Sequence, residues 1–288
     1  MVTAKTQYNL KNAKEYFEEH LCVGEYYDEG QRVAGQWFGL GAERLGLTSK
    51  VGAEAFLHLC ENQHPSSGET LTQRLNTTRK DEASDKSANR RIFYDFTFSP
   101  PKSVSVAALV GADERILKAH AEAVRSALRE FEAFVTTRVR VAKADCDRST
   151  GNFVAATFTH DTSRALDPHL HTHCIVFNAT FDAVENRWKA LQNYELLRTR
   201  KFVENVYYHE LARKLRGFGY EIRNLTRGDF HIEGISEEVC ERFSKRNAEI
   251  DKALTKLLAD KAQLASANFK ALRAQLAVET RAKKQKDL

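Results

Sequence analysis

The sequence predicts an α+β protein in which a few strands carry the chemistry and amphipathic helices cover them. Three observations lead there. Four segments between Arg91 and Ala179 are dense in β-branched and aromatic residues, the composition that suits a pleated, half-buried surface. Long stretches on either side repeat apolar residues at helical spacing. Two of the strand segments also carry four histidines within fourteen residues, His160, His169, His171 and His173, three of them at the alternation of a strand.

Taken in order, Asn9 to Leu21 places Leu10, Ala13, Tyr16, Phe17 and Leu21 near one helix face with Asn9 as N-cap, so Tyr16 and Phe17 are expected to face the protein. The Gly-interrupted run from Gly35 to Gly46 contains Gly39-x-Gly41, the start of a dinucleotide fingerprint. Arg44 stands where the third glycine belongs and no clear strand precedes it, so no nucleotide site is expected there. Glu61 to Arg90 is polar and reads as a long surface connection. Arg91 to Phe98 is a strand stopped by Pro100-Pro101, and Ser105 to Thr137 reads as one helix, with Ala107, Val110, Ile116, Ala119, Val124, Leu128 and Phe131 as apolar positions. Three strands follow, Arg138 to Ala144, Phe153 to His160 and His169 to Ala179. A helix from Tyr194 ends at the Gly217/Gly219 region, and β-like pieces cover Tyr220 to Asn224 and Phe230 to Ile232. From Ile235 onward the chain reads as helical and increasingly basic, finishing Arg281-Ala-Lys-Lys-Gln-Lys286. No internal repeat is present.

Composition narrows the class without choosing it. A 288-residue chain with 42% hydrophobic residues is in the range of an ordinary soluble globular protein. Length suggests two domains, or one domain with a helical appendage. No apolar run approaches the ~20 residues needed to span a bilayer, and Met1 to Leu10 holds no signal core, so the expected location is cytoplasmic. Cys22, Cys60, Cys146, Cys174 and Cys240 are scattered and form no C-x-x-C pair, which predicts reduced thiols. Lys and Arg number 44 against 39 Asp and Glu, and a pI near 8.9 is compatible with a polyanionic partner.

The histidines carry more information. On a strand, His169, His171 and His173 point the same way, together with Ile175 and Phe177, while His160 shares a face with Val154, Ala156 and Phe158. An antiparallel hairpin across Asp161 to Pro168 would bring both sets together. Three imidazoles suit Mn, Zn, Ni, Co or Fe and leave coordination positions open for water or substrate oxygens. The remaining histidines, His20, His58, His64, His120, His209 and His231, read as ordinary surface or hydrogen-bonded residues. Spacing alone does not select the chemistry, since such sites also serve dioxygenases and hydrolases. A nucleophile is needed to decide.

Several stretches together resemble the MobF-type conjugative relaxases, the TrwC/TraI-like proteins of the HUH endonuclease superfamily. His160-Asp-Thr-Ser-Arg-Ala-Leu-Asp-Pro-His-Leu-His-Thr-His173 is similar to the metal motif of that family, and Asp95-Phe-Thr-Phe-Ser-Pro-Pro-Lys-Ser-Val-Ser105 to its second signature. Tyr16-Phe17, Tyr26-Tyr27 and Trp37 with Gly41-Ala-Glu-Arg-Leu-Gly-Leu47 resemble its nucleophile region, and Tyr207 to Tyr220 and Phe243-Ser-Lys-Arg246 also fit. The resemblance implies a central antiparallel, palm-like HUH sheet flanked by helices, with C-terminal helices closing over DNA. In residues, this is a relaxase core at 1–234 and a helical, basic extension of the same domain at 235–288. It implies tyrosine attack on single-stranded DNA at an origin of transfer (oriT), giving a 5′-phosphotyrosine and a free 3′-OH that later reseals the strand.

The same resemblance distributes roles. Tyr16 is the preferred nucleophile, because Phe17 leaves it the sole hydroxyl of the first aromatic pair, and Tyr26, then Tyr27, is the candidate for a second strand transfer. His160, His171 and His173 would hold one divalent ion, Mg or Mn in the cell, with Zn, Ni or Co as alternatives. Asp95 would orient a metal-bound histidine or accept the tyrosine proton; its ordinary alternative is a salt bridge to Arg91. His169 stays outside the metal set and is a candidate DNA contact. Lys102 either touches phosphate or stabilises its turn, and Arg74, Arg79, Lys80, Arg90 and Arg91 are candidate backbone contacts. Expected partners are single-stranded and oriT hairpin DNA, other relaxosome proteins and a type IV secretion coupling protein, with the chain a monomer, not membrane-inserted, and exported to a recipient cell bound to DNA. No G-x-x-x-x-G-K-[ST] occurs, so no ATP use by this chain is expected, any helicase being absent or outside these residues. The rival readings are a rolling-circle initiator or transposase of the same superfamily, a three-histidine oxygenase or small-molecule hydrolase, and a DNA-binding module with a structural metal.

Overall fold

The computed structural model describes residues 1–18, 35–73, 91–163, 167–245 and 252. Along the chain run β1 (Val2–Gln7), α1 (Leu10–Tyr16), β2 (Gln36–Phe38), α2 (Leu40–Arg44), α3 (Ala53–Cys60), β3 (Phe93–Phe98), α4 (Lys102–Leu109) and α5 (Glu114–Glu132). There follow β4 (Thr136–Val141), β5 (Ala144–Ser149), β6 (Ala155–Thr162), β7 (Pro168–Phe177), β8 (Thr180–Asp182), β9 (Arg187–Lys189) and β10 (Leu191–Gln192). The last described elements are α6 (Tyr194–Gly217), β11 (Ile222–Asn224), β12 (Phe230–Ile232) and α7 (Glu237–Arg242).

Five strands form the central sheet in the order β1-β3-β7-β6-β2, and every neighbouring pair is antiparallel. The α+β class with a central antiparallel sheet is therefore observed. Strand alternation sorts the sheet into two faces. Tyr94, Phe96, Phe98, Leu170, Cys174 and Val176 are buried in one cluster with Ile116, Val124, Leu128 and Phe131 of α5 and Val203, Tyr207 and Leu211 of α6. Phe93, Ile175, Phe177, Ala156 and Phe158 turn the other way, against Ala13 of α1, Phe17 at its C-cap and Phe56 and Leu59 of α3. Burying each such large side chain is worth roughly 1.5–3 kcal/mol, so both faces are firmly covered. β4 and β5 pair with β10 in a separate three-stranded sheet, and β8/β9 and β11/β12 are short hairpins.

Aromatic packing decides where α1 sits. The Phe17 ring stacks on Phe56 at 4.1 Å, and Phe56 meets Phe177 at 5.1 Å. This fixes the end of α1, and with it Tyr16, over the sheet face that carries the histidines. Asn9 caps the helix by accepting the Asn12 N–H, as the sequence predicts.

Several elements differ from expectation. The single helix from Ser105 to Thr137 is two helices, broken where Ala112 takes φ 52° and Asp113 accepts the Arg115 N–H to start α5. A short strand, β2, does precede Gly39, against the sequence reading, yet the glycines serve packing. Gly41 donates its N–H to the Phe153 carbonyl at 3.0 Å, and a Cβ there would lie 2.6 Å from that oxygen. β1 lies on the edge of the sheet and was not anticipated. Of the polar connection, residues 61–73 fold back on themselves through bonds such as Leu71 N–H to the Asn62 carbonyl, and the remainder lies outside the described residues. The helical extension from Ile235 begins with α7, packed near α4; beyond residue 245 only Lys252 is described. Cys146, Cys174 and Cys240 are free thiols, Cys60 is buried, and Cys22 is outside the described residues. No helix among the described residues is long and apolar enough to cross a membrane.

Candidate active site

The β6–β7 hairpin anticipated from the sequence is present, and it places His160 opposite His171 and Phe158 opposite His173. Ring centroids of His160 and His171 are 5.3 Å apart, those of His160 and His173 5.5 Å, and those of His171 and His173 5.1 Å. Adjacent strands and a period of two therefore bring the three rings side by side.

Each ring is held by a specific partner. His171 Nδ1 lies 2.8 Å from the His169 carbonyl; only an N–H can bond there, so Nε2 keeps its lone pair. His173 Nδ1 lies 3.0 Å from both oxygens of Asp95, which directs Nε2 away from the carboxylate. Burial, reinforced by the fields of His169 and His173, pushes the His171 pKa well below its ordinary value and keeps it neutral. Among the described residues no three His, Cys, Asp or Glu side chains are already closed into a metal cage. The donor set nevertheless fits a divalent cation: three neighbouring imidazoles, His171 kept neutral by burial with its Nε2 available and His173 oriented by a carboxylate.

Asp95 is the centre of the arrangement. Its side chain, only 4% exposed, accepts the Tyr16 hydroxyl at 2.7 Å and the Thr97 hydroxyl at 3.3 Å as well as the His173 ring. Burial alone would raise its pKa, but the charge of His173 and the hydrogen bonds from His173, Tyr16 and Thr97 outweigh that and hold it below the ordinary carboxylate value. The Tyr16 hydroxyl also lies 3.4 Å from His173 Nδ1. One carboxylate thus touches both side chains named in its two sequence-based roles, the tyrosine hydroxyl and a histidine ring. The alternative salt bridge to Arg91 does not form, because Arg91 Nη1 donates instead to Asn193 Oδ1 at 3.2 Å.

The remaining sequence candidates divide. His169 stacks on His171 at 4.8 Å, and burial first, then the charge of Lys102, lowers its pKa to about 4. Lys102 donates to the Pro168 carbonyl at 2.7 Å. Tyr26, Tyr27, Arg74, Arg79, Lys80 and Arg90 lie outside the described residues. Two site residues escaped the sequence reading. Lys5 faces Asp95 across the β1–β3 ladder and sets its ammonium 5.6 Å from the Tyr16 ring centre, and Thr97 contacts both Asp95 and His173. Thr97 shares the face of Asp95 two residues on, a signal that was readable; Lys5 required recognising β1.

The chain has relatives among known proteins. The family model described as TrwC relaxase matches residues 10–288. Two curated relatives, both named multifunctional conjugation protein TraI, come from Escherichia coli and from its strain K12. They are 36% and 35% identical over 249 residues, 81% of this chain, which spans 13% of their length. The solved structure titled conjugative relaxase TrwC in complex with oriT DNA, in its copper-bound form, has 31% identity and a TM-score of 0.83, covering 100% of this chain and 93% of that one. TrwC complexed with a 27-mer DNA comprising the recognition hairpin and the cleavage site gives 29% identity and a TM-score of 0.80, covering 100% and 92%. With a family model spanning nearly the whole sequence and curated relatives above 30% identity across most of it, the chain belongs to the TrwC relaxase family.

Proposed function

We propose that this chain nicks and rejoins single-stranded DNA at an origin of transfer, starting and ending conjugative transfer of a plasmid, with Tyr16 as nucleophile. The observation that carries the reading is the shared carboxylate: Asp95 holds the Tyr16 hydroxyl and the His173 ring at once. The TrwC complexes with oriT DNA support the substrate, and metal-bound TrwC supports a divalent ion.

In the proposed step the Tyr16 oxygen attacks phosphorus, and its proton passes to Asp95, the hydrogen-bonded acceptor already in place. The Tyr16 O–P bond forms as the bond from phosphorus to the 3′-oxygen breaks, and the leaving 3′-oxygen takes up a proton from water, giving a 5′-phosphotyrosine and a 3′-hydroxyl. Because the covalent bond stores the energy of the cut linkage, reversal by a 3′-OH reseals the strand without a nucleotide cofactor. A divalent ion held by His160, His171 and His173, with Mg or Mn our reading for the cell, would supply positive charge at the non-bridging oxygens of the scissile phosphate. Tyr26 is proposed for a second strand transfer, and Arg74, Arg79, Lys80, Arg91 and His169 for contacts along the strand. A relaxase core at 1–234 with a basic extension at 235–288, and contacts with other relaxosome proteins and a coupling protein, complete the proposal.

Incubation with labelled single-stranded oligonucleotides from the origin of transfer of its own plasmid, with Mg²⁺ or Mn²⁺, is expected to give a covalent protein–DNA adduct. Tyr16→Phe is expected to abolish it. An undiminished adduct in Tyr16→Phe would overturn the assignment, and metal-dependent turnover of small molecules with no adduct would favour the oxygenase or hydrolase reading.

A further inference from the structure

The strand that carries His171 and His173 runs on past its neighbour. β3 pairs with β7 from Phe93 opposite Phe177 to Phe98 opposite Thr172; in the same register Pro100 would next face Leu170, and Lys102 would face Pro168. Pro100 has no N–H to offer a ladder, and Pro100-Pro101 ends the strand. The first part of β7 therefore has β6 on one side and, among the described residues, no strand on the other. Backbone groups left there need other partners.

Side chains from the covering helices take over. Lys102 of α4 donates its ammonium to the Pro168 carbonyl at 2.7 Å, and Ser105 Oγ, fully buried, accepts the Leu170 N–H at 3.2 Å. Two residues further on, the Thr172 hydroxyl lies 2.8 Å from Nε2 of His120, a fully buried residue of α5. His120 Nδ1 lies 2.8 Å from the Tyr207 hydroxyl of α6, and Thr172 reaches Thr159 of β6 at 2.9 Å. Tyr207 donating to Nδ1, Nε2–H to Thr172 and Thr172 to Thr159 uses every buried donor of this hydrogen-bond chain. The reverse order leaves the buried Tyr207 proton without an acceptor among these groups. That arrangement needs a neutral imidazole, and burial supplies it by lowering the His120 pKa to about 3. Pro168, Leu170 and Thr172, the residues that alternate with His169, His171 and His173, are thus each fastened by a polar side chain of the helix layer.

We propose that Lys102, Ser105 and His120 are positioning residues, a polar brace in which Lys102 and Ser105 replace the missing ladder and His120 ties the Thr172 side chain where the ladder begins, so that the first half of β7 is fixed and His171 and His173 meet His160. This rests on the reading of those three histidines as metal ligands. Lys102 then acts on the strand and not on DNA phosphate.

The test titrates Co²⁺ into the intact chain, following its visible absorption, for wild type, Lys102→Met, Ser105→Ala and His120→Leu. The same proteins are assayed for binding of single-stranded DNA across a salt series, with circular dichroism to confirm folding. The brace predicts roughly 10-fold weaker Co²⁺ binding, the scale seen when outer partners of metal ligands are lost, and an altered Co²⁺ spectrum. DNA affinity and its salt slope stay as in wild type. His120→Gln, which keeps a donor and an acceptor, should recover most of the Co²⁺ affinity, and decides the matter if His120→Leu does not fold. Unchanged Co²⁺ binding in all three variants overturns the brace alone. Lys102→Met with normal Co²⁺ binding but weaker DNA binding, its salt slope shallower by ~0.7, makes Lys102 a phosphate contact instead. A wild-type chain that takes up no Co²⁺ overturns the metal reading and the brace with it.

Discussion

At the scale of single residues, the site depends on how one carboxylate is divided between two neighbours. Asp95 accepts from Tyr16 and from His173, and its depressed pKa keeps it charged at neutral pH, ready for the phenol proton. Asn in its place keeps the shape but loses the charge, and presents an amide where Tyr16 or His173 needs an acceptor. Asp95→Asn is therefore expected to slow single-turnover nicking by roughly 10²–10⁴-fold, the usual worth of a positioned base. Binding of the uncut strand should change little, because Asp95 is buried and faces other side chains. Quench-flow cleavage alongside fluorescence anisotropy separates the two, and equal losses in rate and affinity would show that Asp95 acts on binding.

Elements matter because each site residue is aimed by a different one. α2 lies directly on the sheet through Gly41, whose hydrogen position points at the Phe153 carbonyl. Gly41→Ala inserts a methyl 2.6 Å from that oxygen, and overpacking of this kind costs about 1–3 kcal/mol. Urea unfolding should show the loss as a lower midpoint with an unchanged slope, and an unshifted midpoint would mean that α2 is free to move. The sequence made some elements plain and hid others, for physical reasons. β6 and β7 were legible because, along β7, histidines on one face alternate with the buried Leu170, Thr172 and Cys174 on the other, and Tyr16, Asp95, His160, His171 and His173 lie on motifs with a resemblance to draw on. β1 was hidden because Val2 alone among its residues is buried, so an edge strand shows little alternation. The break between α4 and α5 was masked by an apolar period that continues through it, although Gly111-Ala-Asp113 held the stop and cap. The brace behind β7 was invisible, since His120 and Tyr207 are 87 residues apart and nothing local marks either as a partner.

For the whole molecule, the sheet couples its two faces: the reactive groups stand on one, and the helices that hold the strands in register stand on the other. The most buried titratable link between them is His120, whose pKa falls to about 3 through burial, with smaller contributions from the N-terminal amine and His169. In the unfolded chain an exposed histidine titrates near ~6.5. Between these values the unfolded state binds a proton that the folded state refuses, so the fold loses stability progressively as pH falls from about 6.5 toward about 3, and this group costs nothing above that window. At pH 4.5 the His120 contribution is on the order of 2–3 kcal/mol. Urea unfolding of wild type at pH 7 and pH 4.5 should show this loss added to that of other groups. In His120→Gln, where position 120 no longer titrates, the difference between the two pH values should shrink by about that amount. An identical pH dependence in the two proteins would mean that the imidazole reaches solvent or binds its proton in place, and the neutral chain from Tyr207 through His120 to Thr172 would have to be abandoned.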